Sequence, residues 1–287
     1  MLESPRIEKA LTKAIDEGSS SDFFDQLARS SGLPGPRPNL DLARALGGAI
    51  AARRGRADAL VRELLGATSE YPVIVAAFAL ASRLLAGLDP RGSMKALHDL
   101  AEDPRHHVRA GVVDALRMLI VDRGDPLLDE LAAWTDGYLH AHVVLEALAD
   151  RTLLASLTSS AAILARLDEA FALADLSPRA AERSQGVRLL RGAMPAQIAI
   201  FAARCPEVLT WLADRTRSQR PESREVIRET LLALRRAGFK GADVDRLAAA
   251  LEASAPPPRD PSRIVHGTRQ RGRGLAGRPD PRRKRPH

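Results

Sequence analysis

The chain has 287 residues, enough for one large domain or two small ones, and 45% of them are hydrophobic but only 3% aromatic. That balance supports a core while arguing against β-sandwiches and aromatic-lined pockets; a single cysteine, Cys205, excludes an internal disulfide framework and a multi-cysteine zinc site, and reads as a buried helix residue. The net charge of +7 is unevenly placed: from Arg259 onward nine Arg and one Lys meet only Asp260 and Asp280, for +8, so the rest, with 33 bases and 34 acids, stands at −1.

The apolar residues are mostly Ala and Leu, which favour helices, and no sustained period-2 run of β-branched residues appears, so an all-α fold is expected. The first residues mix acids with bases and lack an apolar segment of the signal-peptide kind. The longest apolar run, 73–81, falls far short of the ~20 residues that span a bilayer. A cytoplasmic protein without membrane contact is expected. Arginine far outnumbers lysine, and with the alanine richness this suggests a GC-rich bacterial genome.

In chain order, residues 5–17 put Ile7, Ala10, Leu11, Ala14 and Ile15 on one helical side, and a Ser-rich break leads to a second short helix holding Phe23, Phe24 and Leu27. Residues 31–38 are a Pro/Gly loop. Asn39 or Asp41 caps a helix over 42–53, a partner follows over 57–65, and Pro72 opens an almost wholly apolar helix that Gly87 ends. Residues 127–134 and 138–148 form the next helices. The second half predicts helices over 159–174, 178–191, 195–203, 206–214, 224–237 and 243–253, with Pro178, Pro195 and Pro206 near the first positions of three of them. Ala-Leu or Leu-Leu pairs at 79, 115, 147, 189 and 233 lie 36, 32, 42 and 44 residues apart, a spacing in the range of helical repeat arrays.

The stretch 93–134 shows the unit most clearly. Met94, Leu97, Leu100 and Ala101 make one apolar stripe, and Val108, Val112, Ala115, Leu116 and Leu119 make another, with Asp103-Pro104 as the stop between them. Asp103 is placed to cap the second helix. Neither stripe can be buried by its own helix, so the pair must fold together and against a neighbour.

Asp103, Val108, Arg109, Ala115 and Leu116 stand at the spacing of a HEAT repeat, which this stretch resembles over 94–119 and the rest of the chain only loosely. The resemblance implies an α-α superhelix, a HEAT-like helical solenoid with a concave inner face. Those five residues would then define the repeat structurally, with Asp103 and Arg109 bridging neighbouring turns. The division expected is 1–38 as capping helices and loop, 39–253 as helical repeats, and 254–287 as a disordered tail rich in Arg, Pro and Gly, whose composition cannot offset an ordering cost of ~1–2 kcal/mol per residue.

Catalytic signatures are missing: no phosphate loop, nucleophile elbow or convincing carboxylate pair can be picked out, so neither a catalytic residue nor a cofactor is assigned. His98, His106, His107, His140 and His142 show no ligand spacing; His140 and His142, two apart, diverge on a helix, so no metal site is assigned and they are read as surface or cap residues. Some HEAT-like DNA glycosylases use two groove tryptophans with an Asp one helical turn beyond the first. Here Trp134 is followed by Asp136, with Tyr138 where that Asp would stand, so Trp134 and Trp211 are read as packing residues. Arg224, Arg228 and Arg235 share a helix face with Glu225 and Glu229 beside them, which reads as a solvated mixed face. In the tail, Arg269, Arg271, Arg273, Arg278, Arg282, Arg283, Lys284 and Arg285 form an Arg-Gly and polybasic segment without an interleaved aromatic. It suits sequence-blind binding of nucleic acid or of an acidic partner. The function expected is a non-catalytic scaffold or adaptor that takes a protein partner on its concave face. The alternative is an enzyme on the same scaffold, such as an alkylpurine DNA glycosylase or a lyase-type modifier.

Overall fold

A computed structural model describes residues 4–257. The chain divides into two units, Met1–Ser254 and Ala255–His287, and all the helices described belong to the first. Among the described residues regular structure is helical throughout, in fifteen α-helices and two short 3₁₀ turns, with no strand. The all-α expectation is met. The tail residues 258–287 lie outside the described residues.

The first two helices, α1 (Pro5–Asp16) and α2 (Ser21–Ser30), pack on each other. Next comes α3 (Leu40–Ala52), capped by Asn39, whose side chain accepts from the Leu42 amide at 3.2 Å. Paired helices follow: α4 (Asp58–Leu65) with α5 (Glu70–Leu85), and α6 (Pro90–Ala101) with α7 (His106–Arg123). Then α8 (Asp125–Glu130) and a 3₁₀ segment (Leu131–Asp136) precede α9 (Tyr138–Leu148). The short α10 (Arg151–Ser156) and α11 (Ser160–Asp175) precede α12 (Gln185–Arg204). Last come α13 (Glu207–Arg215), α14 (Pro221–Arg236) and α15 (Gly241–Ala253). The six helices α3, α5, α7, α9, α12 and α14 touch in that order, each against the next, while the helices between them lie alongside.

The centre of the first part is α5, where every residue from Tyr71 to Ala81 is buried. Its sequence is apolar on all sides, so neighbours must cover all sides, and α2, α3, α4, α6 and α7 do so. Gly47 explains how closely α3 approaches: a Cβ there would stand 2.6 Å from the Phe78 backbone carbon. The Gly47-Gly48 pair, inert as a phosphate motif, thus has a packing reason at Gly47. Gly87, at φ +67°, closes α5 with a Leu88 amide donating to the Arg83 carbonyl at 2.8 Å, a bond that ends a helix by reversing the chain.

Two expectations fail in the second half. The separate helices over 178–191 and 195–203 are one helix, α12, which begins only at Gln185 and runs through Pro195. Residues 178–184 are turns, and Ser184 supplies the cap, accepting from the Val187 amide at 3.3 Å. Pro195 removes one helical bond at a cost of about 3 kcal/mol. Val187, Leu190, Met194, Ile198 and Phe201 form an unbroken buried stripe on both sides of it, against α9 and α14, and that packing holds the helix together. The short helix α10 was not foreseen; Asp150 caps it by accepting from the Thr152 and Leu153 amides, both at 2.9 Å.

Candidate functional site

Asp103 does not cap α7. Its carboxylate accepts from the Arg105 backbone amide at 2.8 Å and from the Arg105 guanidinium, and those bonds hold Arg105 against the turn. Burial disfavours the Asp103 carboxylate, but the Arg105 bonds outweigh it and set its pKa below the ordinary value. Arg109 is buried and donates to the backbone carbonyls of Asp103 and Pro104, so it braces its own turn. The residue that crosses to the previous turn is Arg105, donating to the Ala67 and Thr68 carbonyls at 3.2 and 2.9 Å. Val108, Ala115 and Leu116 are wholly buried.

The Arg105 crossing is one of a series. His107 meets Glu70 at 2.8 Å, Arg123 reaches the Leu84 carbonyl at 3.1 Å, Arg166 reaches the Leu128 carbonyl, Trp211 reaches Asp168 at 2.9 Å and Arg220 reaches the Ser177 carbonyl at 2.9 Å. Their sequence separations run from 37 to 43 residues. Each joins one helical pair to the next.

His98 and His140 belong to the same series and, with Asp136, form a compact polar group. His98, on α6, and His140, in the first turn of α9, stack with ring centroids 3.8 Å apart and planes 13° apart. The Trp134 ring stands edge-on to His98 at 5.2 Å and to His140 at 6.1 Å. His140 is 4% exposed, and its Nε2 lies 3.0 Å from the His98 carbonyl. A carbonyl only accepts, so Nε2 carries the proton and donates, and in the neutral ring Nδ1 presents its lone pair. Burial pushes His140 toward that neutral form and nearby His98 adds to it, against the pull of Asp136 and Glu102. Asp136 Oδ1 stands 3.1 Å from His140 Nδ1 and 3.1 Å from His98 Nε2. The first of these is a hydrogen-bond distance without hydrogen-bond direction, and Nδ1 is left without a partner. Glu102 Oε1 is 3.8 Å from the same nitrogen.

The sequence reading rightly has His140 and His142 on different sides of α9. What it missed is that His98 arrives from α6, 42 residues back, and that Asp136, at the end of the preceding 3₁₀ segment, stands four residues before His140. His142 is half-buried, with an unpartnered Nδ1, and burial lowers its pKa too. The other close histidines, His106 and His107, are neighbours on one turn, and His107 is already paired with Glu70.

The two tryptophans are committed to separate packing sites. Trp134 is buried against the histidine pair, while Trp211 lies edge-on to Phe171 at 5.4 Å and donates to Asp168, which also binds Arg215. Arg224 leaves the mixed face expected for it: it is buried and donates to the Ser218 and Leu251 carbonyls. Arg228 pairs with Glu225 and Arg235 with Asp245, as solvated pairs.

Between α12 and α14 runs a groove of about 690 Å³, with Pro195, Ala196, Val226 and Ala233 in its lining together with Glu222, Glu225 and Glu229 and two arginines, Arg191 and Arg236. Those acids sit at i, i+3 and i+7 of α14, one face. The basic residues Arg269, Arg271, Arg273, Arg278, Arg282, Arg283, Lys284 and Arg285 lie outside the described residues. No protein-family model matches the chain, and neither a curated protein nor a solved structure is similar to it.

Proposed function

We propose that the chain is a non-catalytic scaffold of the HEAT-like solenoid kind, holding a protein partner against the face that its successive second helices build. The observation that carries this reading is the series of side-chain bonds joining helical pairs about forty residues apart, Arg105 to Thr68, His140 to His98 and Arg220 to Ser177 among them. A stack tied in that way is rigid along its length, and past the enclosed α5 its row of helices offers the surface between α12 and α14 to a partner. The groove between α12 and α14 is the proposed seat: its apolar lining suits a hydrophobic anchor and its three glutamates suit a partner segment rich in Lys or Arg. The basic tail adds a second, electrostatic attachment to nucleic acid or to an acidic partner.

The test is affinity capture with the full chain, with and without nuclease, beside two variants. Reversing Glu222, Glu225 and Glu229 to Lys abolishes capture of the protein partner while the helical circular dichroism spectrum and melting temperature stay unchanged. Deleting residues 259–287 abolishes salt-sensitive nucleic-acid retention with the same melting temperature. Capture indifferent to the glutamate reversal moves the seat elsewhere, and retention that survives the deletion removes the tail's role.

A further inference from the structure

We infer that His98, Asp136 and His140 form a binding site for a divalent transition-metal ion of the zinc class. The inference is independent of the partner-binding reading. It starts from the nitrogen the fold leaves unused. His140 Nε2 is fixed on the His98 carbonyl, which orients the ring and turns Nδ1, lone pair outward, into the cluster. That ring is 4% exposed and its Nδ1 has no hydrogen-bond partner. A buried acceptor beside a carboxylate oxygen at 3.1 Å is an electrostatically unfavourable pair unless a positive charge stands between them.

The spacing fits that charge being an ion. Metal bonds of about 2.0–2.1 Å put neighbouring ligand atoms about 3.0–3.4 Å apart. Asp136 Oδ1 is 3.1 Å from His140 Nδ1 and off its hydrogen-bond axis, as one ligand stands to another around a shared centre, and it is hydrogen-bonded to His98 Nε2 at 3.1 Å, a bond that the ion would replace. Glu102 Oε1, 3.8 Å from Nδ1 on a solvent-facing side chain, is within a rotamer change of a fourth position.

Room for the ion comes from Gly137. A Cβ at that position would lie 2.5 Å from His140 Nδ1 and 3.1 Å from Glu102 Oε1. The space beside the free nitrogen therefore exists because this residue has no side chain.

Two imidazoles with one or two carboxylates and no thiolate suit Zn²⁺, Co²⁺ or Ni²⁺ rather than Mg²⁺ or Ca²⁺, which take oxygen ligands. His98, about a quarter exposed at its side chain, turns out of the stack on His140 to bring its Nε2 axis onto the ion, while His140 stays fixed. The second cluster, Glu70 with His106 and His107, has no buried nitrogen left without a partner: His107 Nδ1 is on Glu70 at 2.8 Å, and His106 is exposed.

The experiment titrates the full chain, stripped with chelator, with Zn²⁺ by calorimetry and with Co²⁺ by absorbance. One site per chain is expected, unaffected by excess Mg²⁺. Asp136→Asn and His98→Asn weaken Zn²⁺ at least about tenfold, as loss of a ligand or its support does, whereas His106→Asn leaves the affinity unchanged. Nitrogen-15 spectra of the histidines show His140 bound through Nδ1 with its Nε2 proton retained. Asp136 is exposed, so its Asn variant keeps the helical spectrum and decides the matter if the His98 variant melts early. Absence of a stoichiometric site, or Zn²⁺ affinity indifferent to Asp136→Asn, overturns the inference, as does an affinity lost in His106→Asn.

Discussion

Arg105 Nη1 donates to the Thr68 carbonyl 2.9 Å away, across 37 residues of chain, while the same guanidinium is gripped by Asp103. One side chain thus closes its own turn and ties it to the turn before. Arg105→Met leaves the Asp103 carboxylate with the backbone amide bond alone and takes the guanidinium donor from two carbonyls. The expected loss of stability is about 1–3 kcal/mol, the cost of half-buried polar groups left unsatisfied. Chemical denaturation reads it, and Arg62→Met, on the exposed side of α4, serves as the near-neutral comparison.

Acid should loosen the turn before α12. Glu182 is held below its ordinary pKa of 4.5 by its bond to Arg191, helped by Ser177. Because its pKa is lower folded than unfolded, the stability it contributes is complete above pH 4.5 and is lost as pH falls from there through the folded value. The melting temperature therefore drops more steeply below pH 4.5 in the natural chain than in Arg191→Met, which has already lost that pairing. Parallel pH profiles for the two proteins would refute the assignment.

Pro195→Ala should stabilise the protein. The substitution restores an amide donor inside α12 and removes the ring from a helix interior, where proline costs about 3 kcal/mol. A gain of about 1–3 kcal/mol in denaturant is expected. Proline 195 also lines the α12–α14 groove, so the gain is accompanied by weaker capture of the proposed partner.

Gly137→Ala puts a methyl group into the space beside His140 Nδ1. The residue has an extended backbone, φ −143° and ψ 150°, which alanine adopts freely, so the conflict is with the neighbouring side chains, chiefly the His140 imidazole and secondarily the Glu102 carboxylate. Zn²⁺ affinity should fall at least as far as in Asp136→Asn, and stability by about 1–3 kcal/mol, the usual range for overpacking a filled site. Calorimetry with Zn²⁺ and a denaturant titration read the two effects separately.

Most helices were legible because their signals are local. Asn39 caps α3, Gly87 ends α5, and Tyr138–Leu148 is found where its apolar period places it. The errors come where distant packing overrides a local signal, as at Pro195, where a stripe buried between two other helices carries a helix past a residue that should stop it. Arg105 shows the same limit for polar groups. Asp103 and Arg109 stand at motif spacing, yet the crossing is made by the residue between them, because only its side chain is long enough and points toward the previous turn. The histidine cluster was hidden for a related reason: within either helix nothing suggests ligands, and only the packing of α6 on α9 sets His98 over His140.

The enclosure of α5 bears on how the chain can be made. A helix with eleven successive buried residues has no side on which water is an acceptable neighbour. As the ribosome emits it, its partners α6 and α7 are still inside or unmade, and it must wait until about residue 123 has emerged. Nascent chains stalled before that point should be sticky and protease-sensitive, and those stalled just after it compact. The fold is therefore not assembled from interchangeable bricks: the residues up to about 123, more than two-fifths of the chain, close as a single block, on which each later helix can settle as it appears.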